Sequence, residues 1–362
     1  MSDIDDIIAA RIAEYRSEQD AQQDAMIAAQ AALIADMQSQ IDALKALHAG
    51  EPSPAPVPVP APTPTPVPTP VPAPSGDLVV GDFEILSCNL FEDGDQPGLQ
   101  PVRPPGLRYA PMIYQQHFQV IMGRYDPVTP EGIASAVANL KDLRDGVWKA
   151  DWPGVLIDIE SWAFFPYASG ATLRKNLKLY ADACKKLADA TGQPVGLYNV
   201  APAGGIVAWT QVGAGTSPAG KARLQAIRDA NDIAAEEIIP HVQFLAPQLY
   251  TYYDSPTQVG HQQHMDTWKL FAQGTIAEAR RIAPDLPCLP VIWHEFHNGG
   301  MYKDYRKVPE DYWRMELQTI KAEGADGAIW WGGYDLANKY NQPLTPFADS
   351  AVAWKVVQEF MP

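Results

Sequence analysis

The chain has 362 residues, 46% of them hydrophobic, with ten Trp, fifteen Tyr and ten Phe. That is enough for one large domain or two ordinary ones. Its 27 basic residues are outnumbered by 43 acidic ones, a formal net charge of -16, so no broad positive field is available to hold nucleic acid, an anionic membrane or a strongly acidic polymer.

The three cysteines, Cys88, Cys184 and Cys288, are widely spaced and odd in number. They suggest neither a disulfide framework nor a metal cluster. The chain opens Met-Ser-Asp-Ile-Asp-Asp, acidic where a signal peptide is basic, and carries no apolar run of membrane-spanning length. The expectation is a protein made in the cytoplasm without a signal peptide and with no membrane insertion. Such a protein can still leave the cell inside an assembled particle.

In chain order, residues 1–50 read as a helix, since 2–49 contain no Gly or Pro. Ile27, Gln30, Ile34, Met37, Ile41 and Leu44 alternate spacings of three and four, a heptad seam, whereas Ile4, Ile8, Ile12 and Tyr15 drift from that register. A lone helix of this length needs a partner for its apolar stripe, and a homo-oligomer through residues 1–50 supplies one. Residues 51–75 form a linker in which every even position from 52 to 74 is Pro. Such a tract adopts polyproline II and spans roughly 70 Å at about 3.1 Å per residue. A ligand for a proline-binding domain is the alternative use.

Residues 76–362 alternate strand-like and helical patterns. Apolar runs of β type fall at 83–91, 118–125, 154–162, 194–200, 242–250, 289–296 and 327–331. Helical patterns fall near 130–145, 171–191, 218–237, 257–282, 309–323 and 349–360. The predicted fold class is α/β, a TIM-like (β/α) barrel of seven or eight strands preceded by the coiled-coil helix and the polyproline linker. A doubly wound open sheet is the alternative, but the first strand is followed by no Gly-rich loop.

Active sites of such barrels sit at the C-terminal ends of the strands. Those ends collect Asn89 and Glu92, Arg124, Tyr125 and Asp126, Asp158, Glu160 and Trp162, then Tyr198 and Asn199. Later ends add Gln248, Tyr250, Tyr252 and Tyr253, Trp293, His294, Glu295 and His297, then Trp330, Trp331, Tyr334 and Asp335. Acids, amides and aromatics in this concentration suit a carbohydrate: rings stack on sugar faces and amides bond hydroxyls. On one continuous strand, Asp158 and Glu160 emerge on the same side.

Asp158-Ile-Glu160-Ser-Trp162 resembles the Asp-x-Glu-x-Trp strand end of the hyaluronidase family of glycoside hydrolases. Ala328-Ile-Trp-Trp-Gly-Gly333 resembles that family's late Ile-Trp-Gly strand, and Phe83-Glu-Ile-Leu-Ser-Cys-Asn89 its first strand. Chitinase-like families share a related ending and a Gln-x-Tyr strand comparable to Gln248-Leu-Tyr250. The likeness covers roughly residues 80 to 335 and rests on short motifs in order.

The resemblance implies Glu160 as general acid/base and Asp158 as the group that orients the substrate's N-acetyl carbonyl for attack on the anomeric carbon. One carboxyl of such a pair must stay protonated, and a neighbouring anion raises its pKa. By the same resemblance Tyr250 helps hold the acetamido group and Trp331 forms the aromatic floor. The chain departs from the family in having Ala163-Phe164 where Arg-Pro is common and in lacking a disulfide framework. Its acidity disfavours a polyanion, so a neutral or amino-sugar polysaccharide is expected.

The substrate-binding candidates are Trp162, Tyr198, Gln248, Tyr250, Tyr252, Trp293, Glu295 and Trp331. Glu295 has an alternative role as a protein nucleophile opposite Glu160, which needs carboxyls about 5 Å apart. His294-Glu-Phe-His297 is not His-Glu-x-x-His, and on a strand its histidines face opposite ways. His261 and His264 fall on a helical pattern and read as surface or core residues. No metal and no cofactor is expected.

The functional expectation is a glycosidase displayed on a larger assembly, such as a phage virion or tail, with a polysaccharide as substrate. The alternative is a non-catalytic glycan-binding or structural virion protein on the same barrel. A third reading is an intracellular scaffold recruiting partners through the proline tract.

Overall fold

The computed structural model describes residues 83–88, 104–121, 124–142, 152–212, 217–255, 257–297, 306–332 and 351–361. The expected N-terminal helix and proline linker lie outside these residues, as do Asn89, Glu92, Tyr334 and Asp335.

Seven strands are described: β1 Glu84–Ser87, β2 Met112–Tyr114, β3 Val155–Asp158, β4 Val195–Tyr198, β5 Phe244–Ala246, β6 Val291–Trp293 and β7 Gly327–Trp331. All their pairings are parallel, in the orders β1-β7-β6 and β2-β3-β4-β5. Isolated parallel bridges join the two sheets, Ser87 to Tyr109 on one side and Leu245 to Cys288 and Gln248 to Val291 on the other. The helices are α1 Pro130–Asp142, α2 Gly170–Thr191, α3 Ile206–Val212, α4 Pro218–Glu237, α5 Gln258–Ile282, α6 Glu310–Ala322 and α7 Ala351–Gln358. Parallel strands need crossovers, and these helices supply most of them. The architecture is α/β and barrel-like.

Six of the seven strands fall inside the predicted runs. The second does not: none of the described residues of the run at 118–125 is in a strand, and β2 lies earlier at Met112–Tyr114. Phe118 instead ends a 3-10 turn over Gln115–Phe118, and Gln119 stops it in the left-handed region at φ 57°. A three-residue strand is too short to show alternation, and pairing with β3 selects it. Helix α3, seven residues long, was likewise invisible to a periodicity argument.

Strand alternation sorts the core into two layers. Leu86, Met112, Leu156, Tyr198, Phe244, Ala246, Val291, Trp293 and Ile329 form one cluster on the inner face of the sheets. Their neighbours Ile85, Ile113, Ile157, Leu197, Leu245, Ile292 and Trp330 join the helices in the other. Helix α2 illustrates the fit, burying Leu173, Leu177, Tyr180, Cys184 and Leu187 at spacings of three and four. Trp330 stacks on Trp354 of α7, with centroids 6.4 Å apart and planes 10° apart.

The inner layer is filled at one end by the Phe244 ring, which Gly154 and Gly196 leave room for. A Cβ on Gly196 would lie 2.1 Å from Phe244 Cε2, and one on Gly154 2.7 Å from Cε1. Phe244 is 1% exposed and has nowhere to retreat. G196A is therefore expected to cost about 1–3 kcal/mol of stability, read as a lower urea midpoint. A midpoint equal to wild type would show that this end is loosely packed.

Candidate functional site

Asp158 is the last residue of β3 and sits in register with Tyr114 of β2. It shares the inner-face parity of Leu156. Burial, with a smaller contribution from the charge of Glu160, pushes its carboxyl up from 3.8 to about 8. Glu160 is exposed, and lies in the turn that follows the strand. The two acids thus do not share one continuous strand, as the sequence pattern suggested, although they remain within electrostatic reach. Retention of a proton was expected on Glu160, but desolvation acts on the more buried partner, and Asp158 holds it.

The turn carrying Glu160 is fastened on three sides. The Tyr180 hydroxyl of α2 lies 2.7 Å from Ile159 O and 2.6 Å from Trp162 O, the carbonyls that bracket Glu160. Ser161 Oγ donates to Gln115 Oε1 at 2.7 Å, and Trp162 Nε1 donates to Arg124 O at 3.1 Å. Trp162 is fully buried and packs edge-on against Tyr180 at 5.0 Å. It therefore does not line the site as a sugar platform; it anchors the Glu160 turn. In sequence an anchoring Trp and a stacking Trp look alike.

The inner-face aromatics form a connected wall. Gln248 Nε2 donates to the Tyr198 phenol oxygen, and Tyr252 OH donates to Gln248 Oε1 at 2.7 Å. Tyr250 is also hydrogen-bonded to Tyr198. Burial is the main reason the phenols of Tyr198 and Tyr250 are raised well above 10, and Asp158 adds to both. They stay neutral at any ordinary pH.

Tyr250 lies 5.8 Å from Trp331 at 31°, and Trp293 meets Trp331 edge-on at 4.7 Å. His297 completes the wall, 5.7 Å from Tyr250 and 4.8 Å from Tyr252. Trp331 Nε1 donates to the Tyr114 hydroxyl at 3.1 Å. Tyr114 was missed because its strand was misplaced by six residues. Among the substrate-binding candidates, Tyr198, Gln248, Tyr250, Tyr252, Trp293 and Trp331 come together on this face.

Glu295 is 5% exposed, accepts a hydrogen bond from Lys307 Nζ and forms an antiparallel bridge with that residue. An ion pair lowers a carboxylate's nucleophilicity. His294, 2% exposed, accepts at Nδ1 from Trp330 Nε1 at 3.0 Å. Burial, with the Lys307 charge, holds His294 well below its ordinary pKa, so the imidazole is neutral, and Lys307 Nζ lies 3.4 Å from its Nε2. His261 bonds Asp254 through Nδ1 and lies 3.2 Å from Asp311 through Nε2, while His264 stacks on Tyr253. Among the described residues no group of three or more His, Cys, Asp or Glu is placed to hold a metal ion. Cys88 lies in the inner layer, and burial pushes its thiol up to about 12. It is thus no nucleophile near neutral pH.

No protein-family profile and no curated protein matches the chain. Solved structures overlap it weakly. A glucosidase from Croceicoccus marinus aligns over 70% of this chain at 14% identity and a TM-score of 0.39, and the chain spans only 50% of that protein. A broad-specificity GH5-4 endoglucanase from Bacteroides salanitronis aligns over 77% of this chain and 93% of its own length, at 11% identity and a TM-score of 0.36. A GH18 chitinase from Pseudoalteromonas aurantia covers 77% of this chain and 92% of its own, at 12% identity and a TM-score of 0.22. Overlaps at this level assign neither an activity nor a substrate to the chain.

Proposed function

We propose that the chain is a glycoside hydrolase acting on a neutral or N-acetylated amino-sugar polysaccharide, with Glu160 as proton donor and Asp158 as its partner. The observation that carries the reading is the carboxyl pair beside the aromatic wall: Asp158 keeps a proton to about pH 8 while Glu160 is exposed to incoming substrate. A sugar covering Glu160 strips water from it, which favours its protonated form, the form that donates. As the acetamido oxygen of the substrate bonds to the anomeric carbon, the glycosidic oxygen takes that proton and its bond to that carbon breaks, and the Glu160 carboxylate then takes a proton from the water that opens the cyclic intermediate. The wall at Tyr250 and Trp331 orients the acetamido group for that attack.

Several observations favour a polymer over a single sugar. Tyr167 is 81% exposed and Tyr125 41% exposed, on the loops that follow β3 and β2. Tyr167 lies close enough to Tyr252 to perturb its phenol. These rings extend the stacking surface outward from the carboxyl pair. In this reading the N-terminal helix and proline linker carry the catalytic domain on an oligomeric assembly such as a virion.

The test is release of reducing ends by the full chain across neutral and amino-sugar polysaccharides. Release from at least one is expected. A polysaccharide that is retained on the protein but never cut would overturn the enzyme reading in favour of a glycan-binding protein.

A further inference from the structure

Helix α6 lies in the outer layer, yet its residue Glu316 is completely buried, with 0% exposure. Its Oε1 accepts a hydrogen bond from Thr251 Oγ1, and Thr251 is also 0% exposed. Among the described residues no Lys, Arg or His pairs with this carboxyl, and burial raises its pKa well above the ordinary carboxylate value, so it is a neutral acid. A buried acid of this kind costs stability that an apolar side chain of similar size would not. Its presence calls for a role that packing alone does not supply.

The role is suggested by where Thr251 sits. It is the residue between Tyr250 and Tyr252, both members of the aromatic wall, and its own side chain turns away from them toward α6. Its carbonyl accepts the backbone N–H of His297 at 2.8 Å. His297 in turn lies 5.7 Å from Tyr250 and 4.8 Å from Tyr252. One short chain of bonds therefore runs from α6 through Glu316 and Thr251 to both loops that build the wall.

We propose that Glu316 is a positioning residue, which through Thr251 fixes Tyr250, Tyr252 and His297 at the spacing a sugar ring needs for stacking. The inference deepens the glycan-binding reading and rests on it for its consequence, though not for its geometry. Glu316 touches no substrate. It acts by holding the loop after β5 and the loop after β6 against one helix, so that the wall is formed before a sugar arrives.

The experiment uses the full chain with two readouts, KM on the polysaccharide found to be cut and amide hydrogen exchange at His297. E316L, which keeps the volume and removes the acceptor, is expected to raise KM about tenfold with a smaller change in kcat. It should also speed His297 exchange about tenfold. T251V removes the donor alone and should behave alike, and the double variant should be no worse than the worse single one. E316Q keeps an acceptor for Thr251 and should restore both readouts to near wild type.

E278L serves as a control, because Glu278 is also buried, at 3% exposure, but pairs with Arg281 and Asn231 among the helices. It should lower Tm and leave KM and His297 exchange unchanged. Wild-type KM and exchange in T251V would overturn the proposal even if E316L failed to fold, and so would a KM rise of equal size in E278L. If no polysaccharide is cut, the enzyme reading fails by itself, and His297 exchange still decides whether Glu316 holds the wall.

Discussion

Replacing Glu160 by Gln is expected to lower kcat on the polysaccharide substrate by about 100- to 10,000-fold, the span that a general acid contributes. Gln has the same shape and can still hydrogen-bond a sugar oxygen, but it has no proton to give up. Because Glu160 is exposed and the neighbouring turn is held by Tyr180, Ser161 and Trp162, the fold should tolerate the change. The Tm should stay within about 2 °C of wild type, as for a surface substitution away from structural features. A second signature follows from the charge. Glu160 is one of the two causes that raise Asp158, so E160Q should bring the Asp158 carboxyl below about 8, readable as a shift in its titration by carbon NMR. Reducing-end release by E160Q at the wild-type rate would remove Glu160 from the mechanism, whatever the NMR showed.

The parts of the fold that were legible in the sequence are those in which a local period survives into tertiary structure. Helix α4 over Pro218–Glu237 coincides with its predicted range, since Pro at its first turn and Ser217 as N-cap, accepting from Gly220 N, mark its start. The strand ending in Asp158 was legible because a short apolar run of β-branched and aliphatic residues closed by an acid is a local pattern. What escaped was set by contacts between distant residues. The second strand is defined by its pairing with β3, not by its own three residues. Trp162 and Trp331 are both aromatic residues near strand ends, yet one is wholly buried against Tyr180 and the other hydrogen-bonds Tyr114 in the wall. The bond between Thr251 and Glu316 joins residues 65 positions apart, and no pattern near either one hints at the other.

Replacing Asp158 by Asn should separate stability from activity. The folded-state pKa of Asp158 is raised, from 3.8 to about 8, so the native state keeps a proton that the unfolded chain releases. The sign follows: stability from this group is fully present below about pH 4 and is lost as pH rises toward 8. At about 1.4 kcal/mol per pH unit the whole window would amount to about 6 kcal/mol. Asn carries no such dependence, so D158N should raise Tm by roughly 10 °C or more at pH 8 and by almost nothing at pH 4. Activity should move the other way. Wild-type kcat/KM should fall on the alkaline side with an apparent pKa near 8, as the pair loses the proton it passes to the glycosidic oxygen. D158N should lose about 100-fold or more in kcat, and whatever activity remains should lack that alkaline limb. An alkaline limb that survives unchanged in D158N would place the titrating group elsewhere and leave Asp158 with a structural role only.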